Sequence, residues 1–160
     1  MGLALFRIDD RLIHGQVVTF WTRRLGINRI VIADDAVAND PFLKKVLKMT
    51  APLGVKVNIL TQEEALAAYK AGKFEKYQLM LLVNSPESAK ALIDGGLDVD
   101  SVNVGGMGSK PGTVTLYKNI SALPEQIEIF RELTARGISV QFRPLPDHDV
   151  ITFDQLKLTP

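Results

Sequence analysis

Between positions 7 and 18 the chain reads Arg7-Ile8-Asp9-Asp10-Arg11-Leu12-Ile13-His14-Gly15-Gln16-Val17-Val18, which gathers two carboxylates, two arginines and one of the protein's 2 histidines. A neutral imidazole keeps a lone pair on one ring nitrogen, so His14 is a candidate nucleophile or general base. Arg11, a few residues earlier, brings a planar, permanently charged donor set that suits phosphate oxygens. Gly15, beside the histidine, permits close approach of a partner to the backbone. Val17, Val18, Trp21 and Leu25 then fall at helical spacing. Gly15 and Gln16 therefore open a helix whose first N–H groups and positive dipole end face the same point. Imidazole, guanidinium and helix N-terminus together describe an acceptor for a phosphoryl group. The plainer alternative is an exposed loop histidine, with Asp9 or Asp10 capping and Arg7 or Arg11 pairing with them across the surface for little gain.

Three further groupings carry chemistry more weakly. Asn103-Val104-Gly105-Gly106-Met107-Gly108-Ser109-Lys110-Pro111-Gly112 is glycine-rich, but Pro111 stands where a dinucleotide fingerprint needs glycine, and the P-loop spacing is missing. It reads either as a turn or as a backbone nest for an anion or a docking surface. Asp34-Asp35, in Ala33-Asp34-Asp35-Ala36-Val37-Ala38-Asn39-Asp40-Pro41, resembles a metal or ribose point. Loop ordering and capping of the next helix explain it more simply. Asp147-His148-Asp149 lacks a second histidine at ligand spacing and reads as an exposed loop. Arg143, ending a strand, is a further basic group for a phosphate contact.

These residues depend on the elements that carry them. Short Ile/Val/Leu runs alternate with segments of helical period, as in βα units on a parallel sheet covered on both faces. Strands are predicted at Leu3–Ile8, Arg29–Ala33, Lys56–Leu60, Gln78–Val83, Ser101–Val104 and Ile138–Arg143, with a weaker one at Thr113–Leu116. Helices are predicted to start at Asp40-Pro41, Ser85-Pro86 and the capping box beginning at Thr61. Ser121 is predicted to open the last long helix, with Leu123, Ile127, Phe130 and Leu133 on one face and Gly137 closing it; Gly95-Gly96 ends the preceding one. The fold expected is α/β, a three-layer open, mostly parallel sheet with helices on both faces. Ligands of such sheets bind beyond the carboxyl ends of the strands, where the loops carrying His14, Asp34 and Gly106 must lie.

Composition narrows the chemistry. With no cysteine, thiolate catalysis, Cys-based zinc and iron–sulfur sites are excluded. A formal net charge of +1 provides no global basic field for nucleic acid. No apolar run approaches the ~20 residues of a membrane span, and the N-terminal residues lack the pattern of a signal peptide. The length of 160 residues, with no linker or repeat, reads as one domain of a cytoplasmic protein.

The segment RIDDRLIHGQV, followed by ADDAVAND at 33–40 and NVGGMGSKPG at 103–112, closely resembles the enzyme IIB component of the mannose/fructose/sorbose family of the bacterial sugar phosphotransferase system, in order and over essentially the whole chain. The resemblance implies that residues 1–160 form one IIB domain of that type. It implies a phosphocarrier in which His14 accepts a phosphoryl group from the cytoplasmic IIA component, on Nδ1, and passes it to a sugar arriving through the membrane IIC and IID components, transiently at the inner face of the membrane. With histidine as donor and acceptor, no metal or other cofactor is implied. Arg11 is then the phosphate clamp, the Gly15 and Gln16 backbone its helper, Asp10 the support for Arg11 or the imidazole, and Arg143 the completion of the pocket. Leu12, Ile13 and Met107 are candidates for an apolar docking rim. The sugar is not legible, and the oligomeric state is open, a homo-oligomer included. A non-catalytic sugar-phosphate or anion-binding regulatory module is the alternative, and a metal-dependent hydrolase built on Asp34 and Asp35 a weaker one.

Overall fold

The computed structural model describes residues 2–156 and 158. In chain order the elements are β1 (Gly2–Asp9), α1 (Gly15–Leu25), β2 (Arg29–Ala33), α2 (Asp35–Ala38), α3 (Pro41–Met49), β3 (Lys56–Leu60), α4 (Gln62–Lys70) and β4 (Gln78–Val83). There follow α5 (Pro86–Asp94), β5 (Ser101–Gly106), β6 (Val114–Tyr117), β7 (Ile120–Ala122), α6 (Pro124–Ala135), β8 (Ser139–Phe142) and β9 (Ile151–Thr152).

Among the described residues seven strands form one sheet in the order β3-β2-β4-β1-β5-β8-β9, parallel except for β9, which runs antiparallel to β8. Both faces are covered. Alternation along β2 and β4 sends Val31, Leu79, Leu81 and Val83 to one core with Ala89, Phe130 and Leu133. Ile30, Ile32, Met80 and Leu82 go to the other, with Val18 and Trp21 of α1. This two-sided burial is why the strands read as nearly continuous apolar runs.

The order also fixes where a site can form. From β1 the chain moves through α1 to β2 on one side, and from β5 it moves through α6 to β8 on the other. Because β1 and β5 are neighbours, their connections diverge and leave a crevice between their carboxyl ends, the topological switch point of an open α/β sheet.

Most helix starts follow from their caps: Asp40 accepts from the Phe42 and Leu43 amides, Ser85 from Ser88, and Thr61 and Glu64 close a reciprocal box. Gly96 and Gly137 take positive φ just past α5 and α6, as expected. Ser121 is the exception. It lies in β7, donates its amide to the Met107 carbonyl and faces Thr115 in a separate β6–β7 hairpin. Helix α6 starts at Pro124, with the Leu123 amide donating to Gln126 Oε1. Three of the four residues assigned to its apolar face, Ile127, Phe130 and Leu133, are buried. The weak strand near Thr113–Leu116 is β6, outside the main sheet, and the seventh strand of that sheet is β9.

Candidate active site

The crevice is built on β1. Phe6 and Ile8 enter one core, so the pleat turns Arg7 and Asp9 to the face beneath α1. Arg7 is fully buried. Its Nη1 donates to Asn103 Oδ1 at 2.6 Å, and its Nη2 to Asp9 Oδ2 at 3.2 Å and the Pro144 carbonyl at 3.1 Å. Trp21 Nε1 donates to the same carbonyl at 3.0 Å, and the guanidinium lies 5.6 Å from the Trp21 ring. Burial pushes this guanidinium down to about 10, against the opposing pull of Asp9, so it remains charged at neutral pH. One observation explains Gly105: a β-carbon there would overlap the Arg7 guanidinium. Gly106 makes the same room for the Asp9 carboxylate. The glycine pair therefore belongs to strand β5 and creates space for two charged side chains on its neighbour.

Asp9, 1% exposed, bridges two guanidinium groups. Its Oδ1 accepts from the Arg11 amide at 3.0 Å and Arg11 Nε at 3.1 Å, while Oδ2 accepts from Arg11 Nη2 and Arg7 Nη2, both at 3.2 Å. Arg11 is thus gripped along one edge of its fork, with its side chain 43% exposed. The support for Arg11 expected of Asp10 comes from Asp9. Asp10 turns instead to the glycine-rich loop and accepts from the Gly108 amide at 2.7 Å. That loop amide is therefore satisfied by the protein's own carboxylate.

Beyond Arg11 the backbone makes a tight turn, with the Leu12 amide donating to the Asp9 carbonyl at 2.9 Å. Leu12 adopts φ 58°, a costly left-handed conformation for a residue with a bulky side chain. What holds it there is burial of Leu12 and Ile13 in the α1 core, each 6% exposed. Met107 is equally buried. The three therefore pack the loops down and present no docking rim. With the two preceding apolar residues drawn inward, His14 is left exposed as the N-cap of α1, and its side chain caps none of the helix amides. Gly15 follows at φ 46° with open space around its α-carbon. No acidic residue occupies the first turn of α1. Imidazole, an uncapped helix N-terminus and a half-exposed guanidinium thus share one loop at the switch point, groups suited to a tetrahedral dianion.

The remaining candidates have structural tasks. Asp34 Oδ1 accepts from the Val37 amide at 2.9 Å and caps α2, while Asp35 Oδ1 accepts from the Gln62 amide at 2.8 Å. Arg143 donates to the Pro146 and His148 carbonyls and shapes the loop after β8, with its guanidinium 5.6 Å from the Trp21 ring. Asp147 and Asp149 are exposed, and among the described residues no three His, Asp or Glu side chains are grouped to hold a metal ion. The residues that sequence reading undervalued are Arg7 and Asp9. Their signal was a charged pair inside an apolar strand, matched by two consecutive glycines ending another.

Comparison with known proteins agrees with this architecture. The family model described as the sorbose subfamily IIB component of the phosphotransferase system matches residues 3–158. The sorbose-specific EIIB component of Klebsiella pneumoniae is 36% identical over 160 residues, covering 99% of this chain and 98% of that protein. The fructose-specific EIIB component of Bacillus subtilis is 31% identical, covering 98% and 96%. The mannose-specific EIIAB component of Escherichia coli K12 is 38% identical over 89% of this chain and 44% of its own length. The crystal structure of the IIB domain of the sorbose permease from Klebsiella pneumoniae superimposes with a TM-score of 0.90 at 35% identity, covering 97% of this chain and 96% of that one. The chain therefore belongs to the sorbose subfamily of phosphotransferase-system IIB components, proteins of sugar transport and phosphoryl transfer.

Proposed function

We propose that this chain is a phosphocarrier that takes a phosphoryl group from a phosphohistidine on a IIA component and delivers it to a sugar entering through membrane IIC and IID components. The observation that carries the reading is the placement of His14: exposed, at the uncapped start of α1, beside an Arg11 already oriented by Asp9. The IIA donor is supported by the mannose-specific EIIAB relative, whose name joins an A and a B unit.

In the first transfer Nδ1 of His14 attacks phosphorus in line. The new N–P bond forms as the N–P bond to the donor imidazole breaks. Arg11 and the amides of Gly15 and Gln16 stabilise charge on the equatorial oxygens. In the second transfer a sugar hydroxyl oxygen attacks, an O–P bond replaces the N–P bond, and the hydroxyl proton ends on the released His14 imidazole. Asp10 acts at one remove, anchoring the Gly108 loop against the site. Positive charge comes from the protein, so neither transfer needs a metal. Residues 1–160 act as one IIB domain on the cytoplasmic side, meeting the membrane only transiently.

Incubation with phosphorylated IIA is expected to place an acid-labile phosphate on His14, and the His14→Ala protein is expected to fold normally and take up none. Phosphate retained in that variant, or binding of phospho-IIA without transfer, would overturn the proposal. Arg11→Ala should keep the fold, since this side chain is half exposed, while slowing transfer by roughly a hundredfold, the typical loss for one preorganised donor. An unchanged rate would remove Arg11 from the clamp.

A further inference from the structure

Helix α3 is oriented unlike the other helices. An amphipathic helix on a sheet normally turns its apolar stripe inward. No side chain of α3 is buried. Its inward side is formed by the half-buried Lys44 and Leu47. Phe42 is 73% exposed and Met49 76%; Val46 lies between them on the same stripe, and Leu53, fully exposed, continues it just past the helix. Phe42, Val46 and Met49 stand at i, i+4 and i+7, one row about 10 Å long on the solvent pole.

The charges around this row are mostly basic: Asp40 is taken up in capping α3 through the Phe42 and Leu43 amides, and Glu64 is within electrostatic reach of the inward Lys44. From Pro41 to Lys56 the ionisable side chains are Lys44, Lys45, Lys48 and Lys56, with no acid among them. The helices on the other face of the sheet carry more acids than bases: Glu63, Glu64, Glu87, Asp94, Glu125, Glu128 and Glu132 against Lys70, Lys90 and Arg131. The apolar row thus sits on the basic side of the molecule. A second copy of the chain docked through the same row would set lysine against lysine across a two-fold axis. A bilayer containing anionic phospholipid matches both features. Its headgroups receive the lysines, and the boundary beneath them receives Phe42, Met49 and Leu53.

We propose that the solvent pole of α3, extended by Leu53, docks this protein reversibly on an anionic phospholipid bilayer. The contact is shallow, made by three or four apolar side chains and the adjoining lysines. It is independent of the chemistry assigned to His14, because α3 contributes no side chain to that site.

Cosedimentation of the full chain with vesicles of phosphatidylglycerol and phosphatidylcholine, against phosphatidylcholine alone, tests it. Binding is expected on the anionic vesicles and is expected to weaken with salt. Lys45→Gln with Lys48→Gln should lower it by about twenty-five-fold, at about fivefold per lysine. Phe42→Ser with Met49→Ser should lower it at least about tenfold. Both double variants should keep the wild-type circular dichroism and urea midpoint, since no replaced side chain is buried. No binding to anionic vesicles, or binding that ignores both double variants, would overturn the proposal. A wild-type dimer seen by light scattering that Phe42→Ser abolishes, with vesicle binding absent, would assign the row to a second copy instead.

Discussion

Two clusters of charge in this protein use the same residue types in opposite surroundings. At the switch point, Arg7, Asp9 and Arg11 share one carboxylate beneath the loop that presents His14, and two of the three are buried. Across the molecule, Lys90 and Asp94 of α5 meet Glu132 of α6 and Arg136 just beyond it in an exposed network of comparable N–O distances. Distance alone would rank them equally. Solvent separates them: the exposed pairs exchange contacts with water at almost no gain, whereas the buried ones must recover a large desolvation penalty through geometry. Arg7 recovers it incompletely, since its Nε is buried with no acceptor among the described residues. Two glycines make room for this cluster, Gly105 for the Arg7 guanidinium and Gly106 for the Asp9 carboxylate. The contacts it makes fix the Arg11 guanidinium through Asp9 and the loop after β8 through the Pro144 carbonyl.

The largest break of this contrast should come from Asp9→Ala. It leaves the Arg7 guanidinium buried without its counter-ion, and the expected loss is roughly 3–5 kcal/mol in urea unfolding. Arg11 would lose all three of its hydrogen bonds to the Asp9 carboxylate, so phosphate uptake from phospho-IIA should fall even where the variant is still folded. A loss below about 1 kcal/mol would mean that the buried cluster behaves like a surface pair. Gly105→Ala tests the same cluster from the neighbouring strand without touching a charge. Its methyl group would overlap the Arg7 guanidinium, which is fully buried, and a destabilisation of roughly 1–3 kcal/mol is expected from such overpacking. Gly15→Ala, with open space around it, meets no such overlap, so any effect there reports backbone strain at positive φ alone.

This asymmetry also explains which parts of the molecule were legible from sequence. The main strands and the capped helices announce themselves locally, through apolar runs and through Asp40-Pro41, Thr61 and Ser85-Pro86, because their causes lie within a few residues of their effects. His14 and Arg11 were legible for the same reason. The role of Arg7 was not, because the groups that make its burial tolerable, Asn103, Gly105 and the Pro144 carbonyl, are brought to it only by β5 and the loop after β8. The split of tasks between Asp9 and Asp10 was hidden likewise, since adjacent carboxylates on a strand end point to opposite partners. The weak strand became β6, but its pairing with β7 was missed because Lys118 takes φ 46° where a glycine would have marked the bend. Ser121 drew the helix start upstream because it looks like a cap, but its place opposite Thr115 in the hairpin is set by strand pairing, and Leu123 with Gln126 starts the helix instead.

The smallest effect should come from Asp94→Asn, and it sharpens the contrast by its pH and salt dependence. Hydrogen bonds from Lys90 and then Arg136 hold the Asp94 carboxyl below its ordinary value near 3.8. The carboxylate is therefore favoured in the folded protein. Whatever stability it adds is fully present above the unfolded pKa and is lost as pH falls through the lower folded one. Wild type and Asp94→Asn should accordingly differ by a small, constant shift in urea midpoint at neutral pH, and the shift should vanish in acid. Raising the salt concentration should erase the same shift at pH 7, because every group in this network is at least a third exposed and is screened within a Debye length. The penalty of Asp9→Ala should survive that salt, since ions cannot reach Arg7. If salt reduced both penalties in equal proportion, the cluster under His14 would have to be open to solvent, and the orientation of Arg11 could no longer be ascribed to a rigid buried support.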